Sequence, residues 1–76
     1  MPFIHVRAYS GRDMEMKKKT AQAIVKAASE AMKTPEESFT VAFEDIEPDV
    51  WDRDIDEPIV KPLRDKILLD EGKLLV

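Results

Sequence analysis

From Phe3 to Tyr9 the chain alternates. Ile4, Val6 and Ala8 fall on one side of an extended backbone; Phe3, His5, Arg7 and Tyr9 fall on the other. This period of two predicts a strand over residues 3–9. Ser10-Gly11-Arg12-Asp13 reads as a turn into a helix, with Asp13 or Ser10 as its cap. Residues 14–33 hold neither Gly nor Pro and are rich in Ala, Lys, Met and Glu, all good helix formers. Ala21, Ile24, Val25, Ala28 and Met32 recur at helical spacing and form one apolar stripe. Thr34-Pro35-Glu36-Glu37 has the form of a capping box, with Thr34 as cap and Pro35 at the first helical position of a single turn. Alternation returns over residues 39–46, with Phe39, Val41 and Phe43 against Thr40, Ala42 and Glu44. The first half is thus one β-α-β unit whose strands run parallel through a right-handed crossover. Beyond it, the acidic stretch around Pro48 and Trp51 is read as one short helical turn. Ile59, Leu63 and Ile67 predict a helix over residues 59–69 that starts near Pro58 or Pro62 and ends at Gly72, leaving an apolar tail, Leu74-Leu75-Val76. There are no internal repeats. The fold class is α+β, in two layers: a parallel strand pair covered by one long helix.

With 76 residues, residues 1–76 make one domain near the size where a single core is marginal. There are no cysteines and one histidine, so neither disulfides nor a thiolate or histidine-rich metal site supplies the missing stability. Two parallel strands leave two open edges and one covered face. A second copy that extends the sheet is the physical remedy, and the tail either docks there or frays. A net charge of −4, spread over both signs, argues against nucleic acid as a partner. No apolar run approaches the ~20 residues of a membrane span, and no signal peptide opens the chain. These features point to a soluble, cytoplasmic protein.

The opening Met1-Pro2 carries the candidate chemistry. A small second residue favours removal of Met1, which would expose Pro2 as a secondary amine at the start of a strand. An ordinary α-amino group titrates at about 7.7–8.0. Apolar walls and a nearby cation push such a group lower, because both disfavour the ammonium. Such a base is partly neutral near pH 7, where general base catalysis works best. With Met1 attached, the same nitrogen is a tertiary amide and has no basicity. A purely structural role also exists, since proline starts a strand at no cost in hydrogen bonding.

Met1-Pro2 opening a strand, Gly11-Arg12 at the strand–helix junction, Pro35 before the second strand and Trp51 beyond it together resemble the 4-oxalocrotonate tautomerase family. The resemblance runs from Met1 to about Trp51. It implies a cofactor-independent keto–enol tautomerase acting on 2-hydroxydienoate or aryl-enolpyruvate type acids. In that reading Pro2 is the general base, Arg12 holds the substrate carboxylate through its planar fork, and Trp51 walls the pocket. Thr40 stands where the hexameric members carry a second arginine, and offers one neutral hydrogen bond in its place. The glycine-rich hairpin of the hexamers is absent, replaced by Pro58 to Val76 with its helix. The ending and Trp51 resemble the short dimeric bacterial members, so a homodimer is expected, with a hexamer as second choice. No metal is implied. Two alternatives accompany this reading: a hydratase or dehalogenase-type relative using protonated Pro2, and a non-catalytic dimeric binding module if Met1 is retained.

The remaining candidates are weaker. His5 is a tempting second acid–base group, but spacing fixes no carboxylate beside it, so it is read as structural or interfacial along with Arg7 and Tyr9. Arg53 is a distant candidate for the missing second arginine. Asp52-x-Asp54-x-Asp56 imitates the start of a calcium loop, but Glu57 and Leu63 occupy the positions that require glycine and glutamate. Lys17, Lys18 and Lys19 spread over ~200° of helix and read as a solvated surface rather than one phosphate-binding face.

Overall fold

The computed structural model describes all residues from Met1 to Val76. Two compact units divide the chain, residues 1–46 and 47–76. In the first, β1 (Phe3–Tyr9), α1 (Met14–Met32) and β2 (Thr40–Ile46) make the β-α-β unit. β1 and β2 run parallel in a register that sets Phe3 beside Thr40, Ile4 beside Val41, Val6 beside Phe43 and Arg7 beside Glu44. Aligned residues on neighbouring strands share a face, so Ile4, Val6, Ala8, Val41, Phe43 and Asp45 form one side of the sheet. α1 lies over that side: Ala21 and Val25 of the helix share a cavity wall with Val41. Lys17 reaches across to Asp45 at 2.5 Å and lies 5.9 Å from the centre of the Phe43 ring. Lys17 is therefore not part of a solvated lysine surface. Its side chain is only 16% exposed and ties the helix to β2.

Local chemistry sets the ends of α1. Asp13 is the cap, its carboxylate accepting the Met16 N–H at 2.8 Å. The helix stops at Met32 because Lys33 turns left-handed, with φ of 54°. The Thr34 N–H folds back onto the Ser29 carbonyl at 3.1 Å, as in a Schellman closure. This corrects the expected capping box. The Thr34 hydroxyl donates to the Met32 carbonyl at 3.1 Å, so it is spent on the preceding helix. Pro35 is extended, ahead of the 3-10 turn Glu36–Ser38 rather than inside it. Phe39 is extended too, but its N–H is committed to the Glu36 carbonyl, so β2 begins one residue later than the alternation predicts.

The second unit departs further from the sequence reading. The expected turn around Pro48 is present as a 3-10 turn, Pro48–Val50. It is followed by a π-helical segment, Asp52–Val60, and a 3-10 segment, Lys61–Lys66. The helix predicted for residues 59–69 therefore starts earlier, ends earlier and is not an α-helix. Pro58 and Pro62 each lack the N–H that an α-helical ladder needs, and the Lys61 N–H reaches back five residues to Asp56. Residues 67–69 are not helical. Leu69–Asp70 (β3) pairs antiparallel with Lys73–Leu74 (β4), and the Leu75 N–H donates to the Leu68 carbonyl at 2.7 Å. Gly72, with φ of 78°, serves this hairpin turn and does not end a helix. The apolar tail thus begins in a short hairpin, which corrects the reading that Pro58 to Val76 ends in a helix and an apolar tail without one.

Little is buried in either unit. Ile46 in the first and Ile55 in the second are the buried hydrophobic residues, and α1 contains none. Phe3, Tyr9, Met14, Met16 and Met32 are all exposed, as are Leu68, Leu69, Leu74, Leu75 and Val76. No helix is long and apolar enough to cross a membrane.

Candidate active site

Pro2 is held at the entrance of β1 by the sheet itself. Its carbonyl accepts the Thr40 N–H at 3.1 Å, one step before the ladder begins at Phe3 and Thr40. Met1 projects fully into solvent, whereas Pro2 is half-buried. Alternation puts Pro2 on the side of Ile4, under α1, and puts Phe39 beside it on the side of Val41. The backbone ladder therefore brings together Pro2 and Thr40, two of the four residues expected at the site. Their side chains belong to opposite faces, since Thr40 is aligned with Phe3.

Arg12 is elsewhere. Gly11 takes φ of 123°, a conformation open to glycine, and swings the chain away from β1 into α1. Arg12 follows it, exposed, and donates from Nη1 to the Tyr9 carbonyl at 2.9 Å. Pro2 and Arg12 thus flank the two ends of a seven-residue strand. At ~3.3 Å per residue that strand is ~23 Å long, several times the length of a small enol acid. No single chain brings both residues to one such molecule. Trp51 lies in the second unit, half-buried, where the 3-10 turn passes into the π-helical segment.

The sequence reading missed Glu44. On the sheet face away from α1 it accepts from His5 Nε2 at 2.9 Å and from Arg7 Nε at 3.3 Å, both on the same carboxylate oxygen. The signal was half visible, because alternation sets His5 and Arg7 on one face of β1. The pairing needed the register, and two short apolar patterns do not specify it. His5 is thereby occupied on the face opposite Pro2. Arg53 is engaged locally: it holds Asp54 through Nε at 2.8 Å and Nη2 at 3.3 Å. That hydrogen bond raises the Arg53 guanidinium further and keeps the Asp54 carboxyl below the usual carboxylate range.

On the helix-covered side of the sheet there is an open cavity of about 290 Å³. Ala21, Gln22 and Val25 of α1, Glu36 of the 3-10 turn, and Phe39 and Val41 line it. Four of these six are apolar, and Glu36 carries the one charge.

The family model described as "Tautomerase enzyme" matches residues 2–53, opening on Pro2 and closing just beyond Trp51. The chain is also 30% identical over 73 residues to the tautomerase PptA of Pectobacterium carotovorum subsp. carotovorum (strain PC1), across 95% of this chain and 96% of that protein. A parallel β-α-β unit that starts at Pro2, matched along most of its length by both comparisons, shows that this chain belongs to the tautomerase family.

Proposed function

We propose that the chain is a cofactor-independent keto–enol tautomerase in which Pro2, freed of Met1, is the general base. The observation that carries this reading is the anchoring of Pro2 by Thr40 at the start of β1, at the residue where the family match begins. A neutral Pro2 nitrogen takes the enol hydroxyl proton. The O–H electron pair becomes the carbonyl π bond, the enol C=C pair shifts onto the neighbouring carbon, and that carbon takes the proton back from Pro2 as a new C–H bond. No net charge is gained or lost. Half-burial of Pro2 supports the neutral form, because an ammonium is less well solvated there.

Arg12 holds the substrate carboxylate, and it does so from a second copy of the chain. The ~23 Å length of β1 leaves no other source. Thr40 serves this site through its backbone N–H, which holds the Pro2 carbonyl at 3.1 Å, because its side chain belongs to the opposite face of the sheet. The working form is a homodimer. The substrates are monocarboxylic enol acids of the 2-hydroxydienoate or aryl-enolpyruvate type, and the relative named as a tautomerase fits this reaction class.

The test is tautomerisation of phenylenolpyruvate by protein whose intact mass shows that Pro2 is the first residue. Pro2→Ala leaves a primary amine and should lose ~100-fold or more of kcat/KM, the usual contribution of a positioned base. Arg12→Ala should lose roughly 10- to 100-fold, the worth of a charge-assisted contact to carboxylate. If both variants match the parent, these roles are wrong.

A further inference from the structure

The C-terminal hairpin presents apolar side chains on both of its faces. Glu71 and Gly72, with φ of 49° and 78°, make the two-residue turn between β3 and β4. Register sets Leu69 opposite Leu74 on one face, and the bond from the Leu75 N–H to the Leu68 carbonyl closes that pair on the other. All four leucines are exposed, and Val76 beyond them is 90% exposed. A hairpin with two residues in each strand is marginal in water unless it lies on a surface. Asp70 and Lys73 share the Leu68–Leu75 face. Asp70 has its own cation, Arg64, at 3.7 Å, whereas Lys73 has no ion pair.

The cavity between α1 and β2 has the complementary chemistry. Ala21, Val25, Phe39 and Val41 give it apolar walls, and Glu36 stands exposed among them with no ion pair of its own. An apolar void of ~150 Å³ accepts a benzene ring. Two leucine side chains, each smaller than that ring, therefore fit into about 290 Å³. We infer that this cavity seats the C-terminal hairpin of a second copy of the chain, with Leu68 and Leu75 inward and Lys73 against Glu36. In the single chain the cavity is open and the hairpin leucines are exposed, so the surface that covers each belongs to another molecule. A second copy supplies both complements at once, because a two-fold contact seats each hairpin in the other's cavity. This contact goes beyond the tautomerase reading and does not depend on the chemistry of Pro2.

The chain has no cysteine, so single introduced cysteines report the contact. Lys73→Cys and Glu36→Cys proteins are prepared separately, mixed at micromolar concentration and mildly oxidised. Their mixed disulfide dimer should form at least ~10-fold faster than that of Lys73→Cys with Glu30→Cys, because seating raises the effective concentration of the pair. Glu30 is exposed on α1 and turned ~140° from Val25 around the helix, so it controls for charge and access. Equal rates for the two mixtures overturn the proposal. In the Glu36→Cys/Lys73→Cys chain, closure within the monomer without a linked dimer also overturns it, since the occupant is then the chain's own hairpin. Sedimentation of full-length variants gives a second reading. Lys73→Glu and Glu36→Lys should each weaken the dimer roughly 3- to 10-fold, the scale of two exposed charge pairs, and the double variant should recover most of the loss. Leu75→Asp should weaken it on the order of 100-fold, because two leucines leave their seats. A dimer that Leu75→Asp leaves intact is held by another surface, and the proposal fails.

Discussion

Complementation between two inactive variants tests the division of the site between chains. Pro2→Ala removes the secondary amine, and Arg12→Ala removes the carboxylate clamp; each protein alone should be nearly inactive. The two residues stand at opposite ends of β1, ~23 Å apart, so the proposed site pairs Pro2 of one copy with Arg12 of its partner. If the variants are mixed in equal amounts and refolded together, half of all sites carry an intact Pro2. Half of those face an intact Arg12. About one quarter of the parent activity should therefore return, in a dimer or in any closed assembly with one donor neighbour per site. The assay is phenylenolpyruvate tautomerisation before and after mixing, with refolding omitted in a control to keep the chains from exchanging. Were Arg12 to act within its own chain, every site in the mixture would still lack one group. Activity would then equal the mean of the two variants measured apart, an outcome that would refute a site shared between chains.

Three further outcomes follow from the same structure. Asp13→Ala should cost about 1 kcal/mol of stability in urea unfolding at fixed protein concentration, and Asp13→Asn much less, because only the former loses the acceptor for the Met16 N–H. Unfolding should depend on concentration: tenfold dilution removes about 1.4 kcal/mol per dimer and, at ~2 kcal/mol per molar urea, lowers the midpoint by about 0.7 M. A concentration-independent midpoint would mean that the monomer is stable alone. Asp54, held below the usual aspartate range by its hydrogen bond from Arg53, should show that lowered titration by carbon-detected NMR. Its folded pKa is depressed, so any stability it adds is present above the unfolded value and lost as pH falls through the folded one. Arg53→Gln should return Asp54 to the ordinary range.

Legibility in the sequence followed the range of the interactions involved. β1, α1 and the parallel pairing were readable because they rest on periodicity over seven residues or more. Asp13 was one of two expected caps, since any short polar residue before a helix signals one. The second unit was misread where two prolines fall within five positions. Ile59, Leu63 and Ile67 have helical spacing, but Pro58 and Pro62 remove the donors that would make that helix regular. Thr34 shows a related failure. A capping-box pattern assumes a free hydroxyl, and the Schellman closure of α1 had already engaged it. At the site, the anchoring of Pro2 by Thr40 and the pairing of His5 with Glu44 both depend on register, which is a non-local quantity. The distance between Pro2 and Arg12 could have been counted from the strand length alone, once β1 was taken as straight.

The thin core and the proposed division of the site have one physical origin. A parallel pair under one helix has that helix on one face only; the other carries Phe3, Tyr9, the His5–Glu44–Arg7 cluster and, at its end, buried Ile46. The pair also fixes Pro2 at one end of β1 and the turn bearing Arg12 at the opposite end. A two-fold axis across the sheet edge would set the strands of two copies antiparallel. The entrance of one β1 would then lie beside the exit of the other, twice over, because a two-fold contact repeats itself. That single association would remove an open strand edge and would bring each Pro2 to a foreign Arg12. In the proposed dimer, the association that would extend the sheet would also complete the site.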